Sequence, residues 1–535
     1  MKKETADILI IGAGASGSAA AWNLSKLNLK IVCMDQGPFI DKKEYSFNNK
    51  FREINKLGKF NIDPNQRKFN SDYPINSDNS PISIANYNAI GGSTLIYSGH
   101  YPRFHPSDFK TKKIDKIGSN WLFNYYDLEK YYNLNDKMVG VSGMTGDPAY
   151  PKIKNLLPPL DIGYSGDIIA KAFNKLGWHW WPEPNAILSA PYDGRNPCVQ
   201  RGVCTSGCGE GAKASTDLTH WPKAIGAGAK LITSARVRKI TVNDQGLATG
   251  AIWVDPEGRE FHQSAKVVIL AANAIGTARL LLLSKNSMFP NGLANSSGLV
   301  GKRLMMHPFA VVTGWFDESL EGWQGQFGAS ITSYQFYETN PQHDFVRGAK
   351  WALSPVGGPL NHVLPMRAGT EVWGEQHHEL MNRTFGKGAT WAIFGEDLPE
   401  ESNYIELDES LSDSSGIPSP KIHYKISQNS ERLMGFQVER AEESLRAAGA
   451  TDVTTANLLR YSGWHLMGTA KMGDDPENSV VNRFQQSHDI ENLYIVDGSV
   501  FVTSSGVNPT ATITALALRT ADNLVKSRSV QAVPS

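Results

Sequence analysis

A chain of 535 residues, 41% apolar and 20% charged, has the make-up of a globular protein with room for two or more cored domains. Its 53 Lys and Arg balance 53 Asp and Glu, so no basic excess points to nucleic acid or anionic lipid. With 13 Trp and 18 Tyr there is aromatic material for a core and for a polar-organic pocket.

The chain opens on ADILIIGAGASGSAAAWNLSK, an apolar strand that runs into Gly12, Gly14 and Gly17 and then an Ala-rich helix. Such glycines permit a tight turn, close approach of backbone to a pyrophosphate, and close strand–helix packing, with the helix N-terminus facing the phosphates. The next strand, KIVCMD, ends on Asp35, at the separation expected of a carboxylate that holds ribose hydroxyls. Cys33 within it reads as an inert core thiol. Strand, turn, helix and acid together predict a dinucleotide site, without separating flavin from nicotinamide. The early basic pair and apolar run imitate a secretory signal, but Glu4 and Asp7 interrupt it and no twin-arginine pair is present.

Residues 41–80 are rich in Asn, Lys and Asp and read as a long surface excursion rather than core. YNAIGGSTLIYSGHYPR then places Gly91, Gly92, Ser93 and Thr94 in a loop suited to close backbone contact with a flat ring or a phosphate. NPCVQRGVCTSGCGEG carries Cys198, Cys204 and Cys208 among glycines. Three readings stand for these thiols: zinc with an outside ligand such as His220, one disulfide and a spare thiol, or an iron–sulfur cluster.

Further on, AKVVILAANAIGTARLLLLS is long enough to span a bilayer, yet Lys266, Asn273 and Arg279 break it and it parses as strand, turn and helix. Residues 306–459 carry short strand-like runs such as NYIELDES and KIHYKIS, which predict a largely antiparallel sheet in a second domain. His307 in LMMHPF lies at the expected domain junction and reads first as packing, second as a site residue. The last 70 residues return to an α/β pattern, with NLYIVDGSVF ending a strand at Asp497 and Gly498, and the final KSRSVQAVPS reads as frayed.

Taken together, the opening fingerprint, the GGST loop, WLFNYYDLEKYY, the strand–helix run at 265–284 and GWHLMGTAKMGDDPENSVV with GVNPTATITALA resemble the glucose–methanol–choline flavoprotein oxidoreductases along the whole chain. The resemblance implies a discontinuous Rossmann-like FAD-binding domain, residues 1–305 with a C-terminal return at 460–535, and an α+β substrate domain at 306–459. It implies extended FAD, with Asp497 and Gly498 near its ribitol and pyrophosphate. Some relatives attach flavin through a histidine just after the paired glycines; here that segment reads STLIYSG and His100 comes later, so FAD is expected to be non-covalent.

By the same resemblance His465 in GWHLMGT is the catalytic base, a role that suits imidazole, and Asn508 in GVNPT orients the substrate hydroxyl. From the residues alone, each reads as a core histidine and a helix cap. The cysteine spacing resembles that of the branch of bacterial sugar dehydrogenases in which three thiolates hold a three-iron, four-sulfur (3Fe-4S) cluster, in an insertion at about 195–215. That branch implies a sugar or glycoside substrate oxidised at C1 or C3, and a small companion subunit and a cytochrome c acceptor as partners. It implies periplasmic or inner-membrane association through a partner, with a cytoplasmic location as the other reading. The alternatives are an oxygen-using alcohol oxidase and a non-catalytic electron-relay subunit. For sugar contacts, Trp323, Trp373 and Trp391 are candidate platforms and Gln326, Gln335 and Gln376 candidate partners, each with packing or surface as its plainer reading.

Overall fold

The computed structural model describes residues 5–47, 49–154, 156–326, 330–359 and 374–526. The strand Ala6–Ile11 offers only Asp7 to water and buries Ile8, Leu9 and Ile10 completely. It sits within a mixed sheet whose strand order is 230–232, 31–34, 6–11, 260–270, 248–254, 236–242. The first four of these run parallel, and the last three form an antiparallel meander. Glu260–Leu270 is 11 residues long and serves two neighbours along one edge. Its first half pairs with Ala248–Val254, and Val268–Leu270 pair with Leu493–Ile495, which arrive parallel from near the C-terminus. This is the α/β architecture that the residue pattern predicts. The run that imitates a membrane span is this strand, a turn and the helix Asn273–Leu283, and no helix among the described residues is long and apolar enough to cross a membrane.

A second sheet is antiparallel throughout, in the order 452–456, 309–315, 388–395, 349–354, 331–333, 181–182. Alternation along its strands divides the side chains between two faces. Val312, Trp351, Leu353, Trp391 and Ile393 bury against Phe173 of the helix Gly163–Leu176 and Leu433 and Leu445 of the helix Gln428–Ala447. Phe309, Ala352, Ala392 and Phe394 gather with Leu459 and Trp464 on the other. That second face is the one that looks onto the site.

Three features differ from the sequence reading. Trp181–Pro182 joins this sheet from far upstream, at its edge. The strands containing NYIELDES and KIHYKIS do not join it: Tyr404–Ser412 and Pro418–His423 pair with each other and with Asn76–Asn79. Their Ile405 and Ile422 bury against Ala274, Ile275 and Ala278 of the helix that follows Glu260–Leu270. Strand periodicity marks such a segment but not its partner. The 41–80 stretch is also more than surface, since Tyr45, Phe60, Tyr73 and Ile75 are buried and Arg67 is enclosed with Asp72. The tail expected to fray lies outside the described residues beyond Lys526.

The second sheet is tied to the segment at 105–115 by buried charge. Arg347 Nη2 donates to Asp108 at 2.6 Å and its Nε to Glu396 at 2.8 Å, and Tyr337 donates to Asp108 at 2.9 Å. Burial raises the pKa of both carboxyls, and the guanidinium opposes that rise. Removing one partner of such a cluster costs about 3–5 kcal/mol, because uncompensated charge stays buried. Arg347→Met should show that loss in chemical denaturation. Carboxyls whose folded pKa is raised oppose folding increasingly as pH climbs, so the deficit should be larger at about pH 8 than at about pH 5. A deficit that is flat with pH would show that the carboxyls do not feel the arginine.

Candidate active site

The glycine turn is built by contact. A Cβ on Gly17 would lie 1.9 Å from the carbonyl oxygen of Gly12, so the helix Ala15–Leu24 approaches the strand as only glycine allows. At Gly14 the same position is open space, in front of a helix start that no side chain caps. The Gly91–Thr94 loop lies directly over this turn: Gly91 N donates to the Ala13 carbonyl at 3.0 Å, and a Cβ on Gly92 would meet Gly14 Cα at 2.9 Å. Ser93 Oγ accepts from Tyr87 N and Thr94 Oγ1 donates to the Gly91 carbonyl, which fixes the loop on itself. Asp35 closes the far side, accepting from Ala13 N at 2.7 Å and Gly37 N at 2.8 Å, and burial pushes its carboxyl up to about 6. The sequence-distant Asp497 accepts from Thr277 Oγ1 at 2.6 Å and from Ser499 N at 2.9 Å, so that Gly498 turns tightly behind it. Open space at Gly14, an uncapped helix start and closely stacked loops fit a dinucleotide pyrophosphate.

His465 is placed by pairing. Met305 and Met467 form an antiparallel bridge, each amide donating to the other's carbonyl at 2.9 and 3.1 Å. Two residues on from 305 and two back from 467 are His307 and His465, and their Nδ1 atoms stand 2.9 Å apart. His307 therefore stands directly beside His465 in the candidate site. On the other side of His465, Nε2 lies 3.3 Å from Asn508 Nδ2. The ring rests beside Phe394, with centroids 5.7 Å apart. All three polar side chains are buried.

Three more residues complete the cluster. Lys350 Nζ donates to Asn508 Oδ1 at 2.8 Å and to Glu183 Oε1 at 2.5 Å, and lies 3.5 Å from His100 Nδ1. Sequence reading passed over Lys350 and Glu183. The available signal was a lysine inside the otherwise apolar strand AKWALS.

Cys198, Cys204 and Cys208 are all free thiols, which removes the disulfide reading. They line one small cavity with Ile187, Val203 and Ala212. His220 is not at it; its two ring nitrogens meet Thr219 and Asn135, so it does not serve as an outside zinc ligand. Among the described residues no three His, Cys, Asp or Glu converge to hold a single ion. The thiols surround a space instead of a point. Gln200 N donates to Cys198 Sγ at 3.4 Å, Gly207 packs onto Tyr45, and Lys213 donates to the carbonyls of Thr94, Leu95 and Tyr97, linking the cysteine loop to the loop at 91–97. Burial, then Cys204, pushes the Cys198 thiol up to about 12.

The candidate sugar contacts scatter. Trp391 is a core residue whose indole donates to Ser444 on the helix-covered face. Trp323 stacks on Phe385, Gln326 is buried, Gln335 and Gln376 are exposed, and Trp373 lies outside the described residues.

The sequence matches the GMC oxidoreductase family over residues 6–309 and again over 399–517. It is 39% identical over 524 residues to the 2-methyl-1,2-propanediol dehydrogenase of Mycolicibacterium austroafricanum, covering 96% of this chain and 94% of that one. The fructose dehydrogenase large subunit of Gluconobacter japonicus is 29% identical over 550 residues, covering 98% and 99%. Among solved structures, pyridoxine 4-oxidase from Mesorbium loti shares the fold with a TM-score of 0.68 at 16% identity, over 98% of this chain and 99% of that one.

To take up a proton, His465 must be neutral. Burial first, then His307, His100 and Lys350, holds its pKa well below the ordinary imidazole value. Anaerobic flavin reduction by a substrate alcohol should therefore be level from about pH 9 down to about pH 6.5, and fall only in more acid solution. His465→Ala should slow it by about 10²- to 10⁴-fold while FAD stays bound. Stopped-flow absorbance reads both, and an acid limb centred above about pH 7 would contradict the lowered pKa.

Proposed function

This chain belongs to the GMC oxidoreductase family, and we propose that within it the protein is a dehydrogenase of a sugar or glycoside, oxidising a hydroxyl at C1 or C3. It is an FAD-dependent oxidoreductase of the CH–OH group of alcohols or sugars. The observation that carries the reading is the pairing of His465 Nε2 with Asn508 Nδ2, a proton acceptor beside a hydrogen-bond donor, with Phe394 beside the imidazole.

The glycine turn, Asp35 and Asp497 would hold FAD without a covalent bond, and FAD would supply the hydride acceptor when bound. His465 Nε2 takes the hydroxyl proton of the substrate as its C–O bond becomes a carbonyl and the carbon gives up hydride. Asn508 Nδ2 donates to the same oxygen and leaves the proton to His465. For Nε2 to be the acceptor, the His465 proton must sit on Nδ1 and be donated to His307 Nδ1. The His307 proton then lies on Nε2, a buried nitrogen that makes no hydrogen bond within the described residues, on a ring that also feels the backbone of Ser504 and Ser505. Burial pushes His307 down to about 4, so it stays a neutral acceptor. His307 thus selects the tautomer of the base.

The same reading gives Cys198, Cys204 and Cys208 a three-iron, four-sulfur cluster, which would supply a one-electron exit toward a cytochrome or a comparable acceptor. Three thiols around one cavity, a backbone N–H on Cys198 Sγ and the Lys213 link to the loop at 91–97 support it. A small companion subunit belongs to the same proposal. So does the sugar, for which the support is the name of one relative, a fructose dehydrogenase subunit, while the relative that is 39% identical is named for a diol.

Protein prepared without oxygen should release FAD on acid precipitation and contain about three irons per chain, with Cys204→Ser losing the metal. Zinc, or no metal at all, would remove the cluster. A panel of glucose, fructose, methyl glucosides, gluconate, a vicinal diol and benzyl alcohol, with products identified by NMR, tests the substrate. Bleaching of the flavin by carbohydrate supports the assignment. Bleaching by benzyl alcohol or by the simple diol alone would replace it, and bleaching by nothing in the panel would favour an electron-relay subunit.

A further inference from the structure

We propose that Lys350, with Glu183 as its counter-ion, is a positioning residue that fixes which end of the Asn508 amide meets the substrate hydroxyl. The inference rests on the reading of His465 and Asn508 as the hydroxyl-binding pair. An amide is nearly symmetric in shape and opposite in polarity at its two ends. With Nδ2 toward the site, Asn508 donates to the substrate oxygen and His465 alone receives the proton. With Oδ1 there, the amide would accept from the hydroxyl and compete with the base. The side chain of Asn508 does not choose between these by itself.

Lys350 makes the choice because an ammonium can only donate. The amide atom 2.8 Å from its Nζ is therefore the oxygen, which turns Nδ2 toward His465. The N–H groups of the ammonium have acceptors in Asn508 Oδ1 and Glu183 Oε1 and, when His100 carries its proton on Nε2, in His100 Nδ1 at 3.5 Å. His100 can play that part because burial and the neighbouring ammonium lower its pKa. Strand register puts Lys350 there. It pairs across the sheet with Phe394 and, by alternation, stands on the same face, its side chain wholly buried. Its backbone N–H also reaches the Gly506 carbonyl at 3.4 Å, so one residue holds both the amide and the loop two residues before it. A buried ion pair is weak support for a fold, since apolar residues of similar volume often serve as well. An apolar side chain would fill the space but would leave the polarity of Asn508 unset.

The test is a double-mutant cycle on the FAD-loaded enzyme, reading anaerobic flavin reduction against substrate concentration. Lys350→Met and Asn508→Ala should each lower the limiting rate by about 10- to 100-fold, the scale of a misplaced reacting group, with half-saturation little changed. The double variant should be no slower than Asn508→Ala alone, because Lys350 acts through Asn508. A purely structural role would multiply the two losses, and that result, or a parental rate in Lys350→Met, would overturn the proposal. Lys350→Met leaves Glu183 buried without its partner, so Lys350→Met with Glu183→Gln, which removes both charges, enters the same cycle against Asn508→Ala. His465→Ala separates the levels: slow reduction there with a multiplicative cycle removes only the Lys350 role. Parental reduction by His465→Ala would remove the reading beneath it, and this inference with it.

Discussion

The antiparallel bridge between Met305 and Met467 is the contact to which the site is referred. It locks together two stretches that are far apart in sequence, so that His307 and His465 have no choice but to face each other. The same stretch then runs on as a ladder, with Gly468, Ala470 and Met472 donating to the carbonyls of Gly498, Ser499 and Val500. One continuous backbone ladder therefore sets both His465 and the turn at Asp497 and Gly498. Displacing His465 without moving that turn would require breaking the ladder.

Charge is distributed around this frame in two ways. The imidazoles are kept neutral by burial, and cations are admitted only with partners. Arg347, two residues ahead of the strand Ala349–Ser354, and Lys350, within it, are each enclosed with a carboxylate. Arg347 ties the second sheet to the 105–115 segment. Lys350 reaches into the site from that strand, which makes the sheet both the mechanical support and the source of polarity. Phe394 lies against His465, His100 and Lys350 at once, an apolar wall on that side of the cluster.

What could be read from the residues followed the range of the signal. The turn at Gly12, Gly14 and Gly17 is local, and the six residues from Gly12 to Gly17 suffice to state why a Cβ cannot be added at Gly17. His465 and Asn508 were legible only by resemblance, since alone they look like a core histidine and a helix cap. Lys350 and Glu183 were not legible, because a short edge strand at 181–182 and the register of 349–354 bring them together, and neither leaves a local pattern. The strands at 404–412 and 418–423 were recognisable as strands, but their sheet was not, because alternation fixes which face is buried and leaves the neighbour unnamed. Trp391 shows the converse: an indole in a plausible pocket sequence is a core residue, because its side of the sheet is roofed by helices.

The arrival of Leu493–Ile495 beside Val268–Leu270 has a consequence for biosynthesis. A ribosome delivers the first strand, the glycine turn and most of the nucleotide-binding sheet hundreds of residues before the strand that closes the remaining edge. Until then Glu260–Leu270 presents unpaired amides and carbonyls over its last turn of sequence, a template for the wrong partner. The nascent chain must keep this half-finished edge shielded while every strand of the second sheet after Trp181–Pro182 emerges. Folding of the nucleotide-binding unit is thus a late event despite its early start, and a chain cut short just before residue 493 keeps His465 but loses that unit's sheet closure together with Asn508.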